Sequence, residues 1–252
     1  MTEPVSGRFD LSTFSLGDML RCGQQLRDVA SAGGSMEVVA QAVVRFLHEA
    51  FRHPQTEERQ CILVRFYKTH RYAALPTVLQ SVARMQLGTD VPSDDMRCLT
   101  LLATAGLRDE WNDRRRSRRH RAVPLPSEAV VERAPMIAQL IRQLGLDVAT
   151  VISPSAELLA ESEGRTYDVF HVERAAGSPF IPAQQDFVVP YGVESVIGFG
   201  GLVGDEMFAV ILFAAVVVPP DAAKRFRNIA LDVKSSVYQF RESSIFETLE
   251  ET

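Results

Sequence analysis

The chain has 252 residues, 46% of them hydrophobic, and a mean hydropathy of -0.01. That is enough to bury a core without disulfide or metal staples, as one large domain or two small ones. A net charge of -5 argues against a general nucleic-acid binder, which carries a positive excess. The cysteines Cys22, Cys61 and Cys98, with no C-x-x-C spacing, fit a reducing compartment better than a disulfide framework.

The first ten residues contain no apolar signal-peptide core. The longest apolar run, Met207 to Pro220, is shorter than the ~20 residues of a membrane span. A cytoplasmic chain that meets neither membrane nor nucleic acid is expected.

A first helix is expected from Ser15, because Ser15-Leu16-Gly17-Asp18 has the form of a capping box. Leu16, Met19, Leu20, Leu26 and Val29 then recur at helical spacing as far as Gly33-Gly34. Ser35 caps a second helix with Met36, Val39, Ala40, Val43, Phe46, Leu47 and Ala50 on its apolar stripe. The short joint predicts a hairpin or bent pair. Cys61 to Tyr67 (CILVRFY) reads as a strand. Leu75 to Leu87 reads as a helix with Pro76 in its first turn, and Cys98 to Ala105 as a strand ended by Gly106.

Pro124 and Pro126 mark a loop. Pro135 opens a helix, Met136 to Leu144, that Gly145 closes. Ser153 to Arg165 is a short helix or loop, Tyr167 to Val172 a strand, and Ala175 to Asp186 a loop. Ser195 to Leu202 is a strand, with room for a short one at Phe187 to Val189 before it. Gly204-Asp205 is a tight-turn candidate leading into a last strand, Met207 to Val218. The final helix sets Ala222, Phe226, Ile229, Ala230, Val233, Val237 and Phe240 against Lys224, Arg225, Asp232 and Lys234. Together these predict an α+β domain over residues 14–241. Its central antiparallel sheet of five to six strands is flanked by helices, and its N- and C-terminal helices pack together. Residues 1–13 are read as a flexible N-terminus and 242–252 as a tail or the start of a linker.

Three features resemble the GAF domain family: Ser195-Val-Ile-Gly-Phe-Gly-Gly, Met207-Phe-Ala-Val-Ile-Leu-Phe, and the helix Ala222 to Phe240. The segment from Trp111-Asn112 through His120 to Pro135-Met136-Ile137 shares the likeness, which spans roughly Phe14 to Phe240. It looks like the sensory modules that precede bacterial histidine kinases and other outputs. The resemblance implies a GAF/PAS-like sheet and a small-molecule pocket between the sheet and its covering loops. It also implies a homodimer through the terminal helices and a signalling output domain or partner, as in two-component systems. The chain lacks the N-K-F-D-E motif of cyclic-nucleotide relatives and any cysteine in a bilin context. No phospho-acceptor follows His171, the last histidine. The ligand is therefore unidentified and no cofactor is implied. The expected role is non-catalytic sensing. The alternatives are a ligand-free dimerisation or interaction module and a cysteine-dependent methionine sulfoxide reductase of the GAF type.

The densest charge is Arg108 to Arg121, RDEWNDRRRSRRHR. Arginine forks pair with carboxylate or phosphate, and Trp111 offers a stacking face. Equally, such a run serves as a solvated loop neutralised by Asp109, Glu110 and Asp113. One or two arginines of the run, Arg119 among those to test, are expected to reach the pocket.

No histidine has metal-ligand spacing. His171, within a predicted strand, either faces a cavity or is a satisfied structural residue. The cysteines sit where small buried apolar residues would serve. Gly192-Val193-Glu194-Ser195 misses the nucleophile elbow, and the glycines around Phe199 suit a close backbone approach better than a phosphate cradle. Val237, Phe240, Ile245 and Phe246 either form a partner surface or pack on their own domain. The candidate ligand-binding set is Trp111, Arg114, His120, His171 and Tyr191, for stacking, anion pairing and hydrogen bonding.

Overall fold

The computed structural model describes residues 8–31, 33–88, 91–117, 120–163, 168–240 and 245–246. Arg119 and Tyr167, both named above, lie outside them. Ser15 caps α1 (Leu16–Ala30) through a reciprocal box. Its hydroxyl accepts from the Asp18 amide at 3.2 Å, and the Asp18 carboxylate accepts from the Ser15 amide at 3.0 Å, satisfying two free donors of the first turn. Ser35 caps α2 (Met36–Ala50) on the Val38 amide. There follow β1 (Cys61–Arg71), α3 (Thr77–Leu87), β2 (Arg97–Gly106) and β3 (Ala122–Leu125). Next come α4 (Glu128–Glu132), α5 (Pro135–Gln143), α6 (Val148–Ile152), α7 (Ala156–Glu163) and β4 (Phe170–Val172). The chain continues through a one-turn α8 (Val189–Tyr191), β5 (Ser195–Val203), β6 (Glu206–Ala214), α9 (Pro220–Lys224) and α10 (Phe226–Tyr238).

The strands form one six-stranded sheet in the order β3-β2-β1-β6-β5-β4, antiparallel throughout. β5 and β6 are a hairpin turning at Gly204, whose φ of 63° is one that glycine adopts without strain. The trailing helix lies on this layer: the Phe226 ring of α10 is 5.4 Å from Phe199 of β5.

One sheet face carries α1, α2 and α10. Its core joins Val64, Phe66, Phe208 and Leu212 to Leu47, Phe14 and Phe226. The terminal helices pack together, with Arg27 paired to Asp232 and Asn228 Nδ2 3.1 Å from Met19 Sδ. Of the N-terminal stretch, Phe9 and Leu11 are buried in this core. The opposite face is also covered. Leu140, Ile141, Leu144 and Val151 from α5, α6 and the turn between them close over Phe170, Met207, Ala209 and Ile211.

Four local readings differ from the structure. Pro124 lies within a strand rather than a loop: β3 is the sheet edge, where a missing N–H breaks no ladder bond. Residues 187–189 are helical rather than extended, continuing a π-helical turn (Gln184–Val188) into α8. The last strand ends at Ala214, and the final helix is divided into α9 and α10.

Gly200 sits opposite Ala209, and a Cβ there would run into the Phe208 carbonyl oxygen and lie 2.9 Å from Ala209 Cα. Gly200→Ala is expected to cost about 1–3 kcal/mol. Gly34→Ala, with nothing within 4 Å of its added carbon, should change stability by less than about 0.5 kcal/mol. Urea midpoints of the two variants check the contrast.

Two histidines on the α2 side are buried, His48 and His70. Burial, reinforced by Arg59, pushes the His48 pKa down to about 4 against the opposing pull of Glu49. Burial also holds His70 well below the usual range, and Lys68, Arg97 and Arg114 add to the effect. Both rings stay neutral in the fold and take up a proton on unfolding, so the unfolded chain binds more protons below its ordinary value of about 6.5. Stability is complete above that pH and declines as the pH falls toward 4. Thermal midpoints between pH 7 and 5 should show this slope in the parent and a flatter one in His48→Gln/His70→Phe.

Candidate functional site

The site builds from the end of β2. Asn112 clamps that end: its Oδ1 accepts from the Gly106 amide at 3.0 Å, and its Nδ2 donates to the Gly106 and Arg108 carbonyls at 3.0 and 2.9 Å. This holds two short 3-10 turns, Asp109–Trp111 and Arg114–Arg116. Trp111 lies directly on Gly106, where a Cβ would be 2.8 Å from Trp111 Cε3 and 3.1 Å from the Ile62 carbonyl oxygen. Only glycine lets the indole approach the strand this closely.

Trp111 then meets Tyr191 at 4.7 Å and Phe187 at 5.6 Å, both edge-to-face. Phe187 packs on Phe213 of β6 at 5.0 Å. Trp111, Phe187 and Tyr191 are each half-buried. They form an aromatic wall that joins the loop after β2 to the segment before β5. The covering loop is fixed by Gln184: its amide donates to the Ala175 and Ile181 carbonyls at 3.0 and 2.7 Å and accepts from Gly177 at 2.9 Å.

The structure thus brings Trp111 and Tyr191 of the candidate set together and puts the other three elsewhere. Arg114 turns toward the helix-covered side, in a bidentate pair with Glu37 of α2 (Nε–Oε1 2.5 Å, Nη2–Oε2 2.7 Å). There its guanidinium lies 5.5 Å from the Phe246 ring centroid. His171 hydrogen-bonds the Val218 carbonyl through Nε2 at 2.9 Å, and burial lowers its pKa against that bond. It is paired with Ile197, whose side chain belongs to the α10 side. His120 is exposed, with φ 62°. In the charged run, Arg108 pairs with Glu110 at the surface and Asp113 caps the Arg115 amide at 2.8 Å.

Sequence reasoning missed Arg65 and Tyr67 on the Trp111 side and Glu37 on the other, whereas Arg121 belongs to the charged run expected to reach the pocket and Phe246 is one of the apolar residues expected to form a partner surface or pack on the domain. Arg65 had a signal: it is the one charge in CILVRFY. The partnership of Arg114 with Glu37 spans 77 residues and leaves no local mark. Among the described residues no group of three His, Cys, Asp or Glu is placed to hold a metal. No helix among them is long and apolar enough to cross a membrane.

No family model and no curated protein matches the chain. The chain is similar to GAF domains. The GAF domain of a phosphoenolpyruvate-protein phosphotransferase from Coxiella burnetii is 10% identical at a TM-score of 0.46, covering 88% of this chain and 94% of that one. The free methionine-R-sulfoxide reductase of Neisseria meningitidis, solved with its substrate, is 10% identical at 0.46, covering 90% and 92%. A phycocyanobilin-bound GAF domain of a cyanobacterial phytochrome is 10% identical at 0.43, covering 88% and 94%. The architecture itself stands on the strand order and register.

Proposed function

We propose that this chain is a non-catalytic, GAF-like sensory or regulatory domain. A small molecule binds on the aromatic side of the sheet, and the terminal helices with the C-terminal segment carry the response. The supporting observation is the two-sided loop of residues 107–117. Trp111 faces the aromatic wall, while three residues later Arg114 grips α2 and Phe246. The Glu37 amide donates to the Ile245 carbonyl at 2.9 Å, so the same helix start holds the C-terminal segment. A ligand that moves Trp111 pulls on a clamped loop whose other end holds the output side. It shifts that side only as far as it binds the two arrangements differently. A native mass spectrum of the gently purified chain should show a small-molecule adduct that Trp111→Ala/Tyr191→Ala loses. An adduct retained by the variant would place the ligand elsewhere.

The second reading, an interaction module, is favoured by a different observation. Leu16 and Leu20 of α1 are 61% and 63% exposed, and Leu231 and Tyr238 of α10 are also exposed. These are spaced as turns on one side of each helix. By contrast, Val237 is buried, and Phe240, Ile245 and Phe246 pack on their own domain. A homodimer through the terminal helices would use the first four. In that case Leu16→Glu/Leu20→Glu should halve the mass measured in solution, and a parent that is already monomeric removes the dimer.

The reductase alternative needs a reactive thiolate, whereas Cys22, Cys61 and Cys98 are all buried. Burial pushes Cys98 up to about 12 and the other two higher still, opposite to what a nucleophile requires.

A further inference from the structure

We propose that the aromatic side of the sheet holds an anion site, built on Arg65 of β1 and Arg121 immediately before β3, for a planar molecule bearing a carboxylate or phosphate. This rests on the ligand-binding reading above and adds its chemical class. Arg65 stands opposite Thr104 on one side and Ile211 on the other. Arg121 accepts the Leu101 amide at its carbonyl, 3.0 Å. It lies two residues before Val123, which packs on this same face. Tyr67, two residues along β1 from Arg65, stands opposite Leu101, the residue that Arg121 bonds on the next strand. The register therefore puts both arginines on the same face of the sheet. The Trp111 seat on Gly106 is one side-chain row, about 7 Å, beyond the Thr104–Arg65 pair.

Among the described residues, the arginines bond no acid. Arg65 donates to Tyr67 Oη at 3.2 Å and to Ser117 Oγ at 3.5 Å, both neutral. Its Nε is buried with no acceptor, and so is Arg121 Nε. Thr104 Oγ1, directly across from Arg65, is buried without a partner as well. Among the described residues no carboxylate bonds either guanidinium. This contrasts with Arg97 and Arg114, which each meet an acid within 2.5 Å.

Around them this face carries a large cluster of aliphatic and aromatic side chains. A half-buried guanidinium with unfilled donors there is a standing cost to the fold. An incoming carboxylate or phosphate removes that cost, because its oxygens fit the arginine fork two at a time. The wall of Trp111, Tyr191 and Phe187 supplies the flat apolar surface for the remainder of such a molecule.

Trp111 is the chain's single tryptophan, so intrinsic fluorescence reports on this site directly. The probes are benzoate, phenyl phosphate, inorganic phosphate and the uncharged benzyl alcohol. Benzoate or phenyl phosphate should change the emission saturably, and the stronger of the two distinguishes carboxylate from phosphate. Inorganic phosphate should compete, and benzyl alcohol should bind about tenfold or more weakly. Arg65→Gln and Arg121→Gln should each weaken the anionic probe by about tenfold or more, as expected for losing a hydrogen bond to a charged group.

Without probe, the thermal midpoints of both variants should be equal to or above that of the parent, since an unpaired cation has been removed. Equal binding of benzyl alcohol, or anionic binding that survives both substitutions, overturns the anion class and leaves the pocket reading standing. Lowered midpoints with unchanged binding make the arginines structural and also overturn it. If no probe, charged or neutral, perturbs Trp111, the pocket reading falls and this inference falls with it.

Discussion

Glu206→Ala is expected to cost about 3–5 kcal/mol, the usual penalty for stranding a buried charge, read as a large drop in the urea midpoint. Lys68, on the central strand, is 0% exposed. Its ammonium pairs with Glu206 and donates to the Thr69 carbonyl at 3.3 Å. Arg97, buried on β2, meets Asp205 at 2.5 Å and Glu206 at 3.3 Å. Two buried cations from neighbouring strands thus converge on two carboxylates at the β5–β6 turn, and Glu206 serves both.

Burial lowers the Lys68 pKa, and Glu206 is the main opposing influence. Without Glu206 the ammonium is free to fall further and shed its proton. A depressed lysine binds fewer protons folded than unfolded, so the stability of the variant should rise with pH toward the ordinary value of 10.5. Lys68→Met/Glu206→Leu removes the pair together and leaves Arg97 with Asp205. It should recover most of the loss, since a well-packed apolar pair replaces a buried ion pair at little net cost. Equal instability of the single and double variants would show that the hairpin tip depends on shape rather than charge. The network fixes that tip against β1 close to His70, whose ring lies 5.2 Å from that of Phe246.

The elements legible in the sequence are those set by neighbours in the chain. The Ser15 box, the Ser35 cap and the apolar stripes of α1 and α2 are local chemistry. So is the pair of apolar runs parted by Gly204-Asp205, which fixes an antiparallel hairpin. Pro124 was misread because a proline prohibits a central strand but not an edge, and edge position is a property of the whole sheet. Residues 187–189 alternate weakly. Their helical form comes from Gln184 holding the preceding loop through three backbone groups, a contact that no periodicity encodes.

The site was half legible for the same reason. Trp111 and Tyr191 were identifiable as aromatic residues in irregular segments. That they touch, while Arg114 turns to the other side, follows from Asn112 clamping the end of β2. Arg65 was visible as a lone charge in an apolar strand. Only the register with β2 and β6 puts it on the sheet face of the aromatic wall, where no carboxylate among the described residues bonds it.

Arg114→Ala is expected to cost about 2–4 kcal/mol and to release the C-terminal segment. Glu37 sits in the first turn of α2, where the helix dipole favours its charge, and it is buried together with the arginine that grips it through two parallel bonds. Truncating Arg114 removes both parallel bonds that it donates to a charged carboxylate in a site that water reaches poorly. It also removes the cation from over the Phe246 ring, worth about 0.5–2 kcal/mol.

The released segment has a direct reporter. Because the Glu37 amide donates to the Ile245 carbonyl, its hydrogen exchange follows docking of that segment residue by residue. Exchange at Glu37 should accelerate in Arg114→Ala. Arg114→Lys, which keeps the charge but loses the fork, should fall between parent and alanine. Phe246→Ala should free the same amide with a smaller loss of global stability, because it leaves the Arg114–Glu37 pair in place. If Glu37 exchange in Arg114→Ala matched the parent while the melting point fell, the loop would be a structural brace. The path from Trp111 to the C-terminal segment would then have no mechanical link at Arg114.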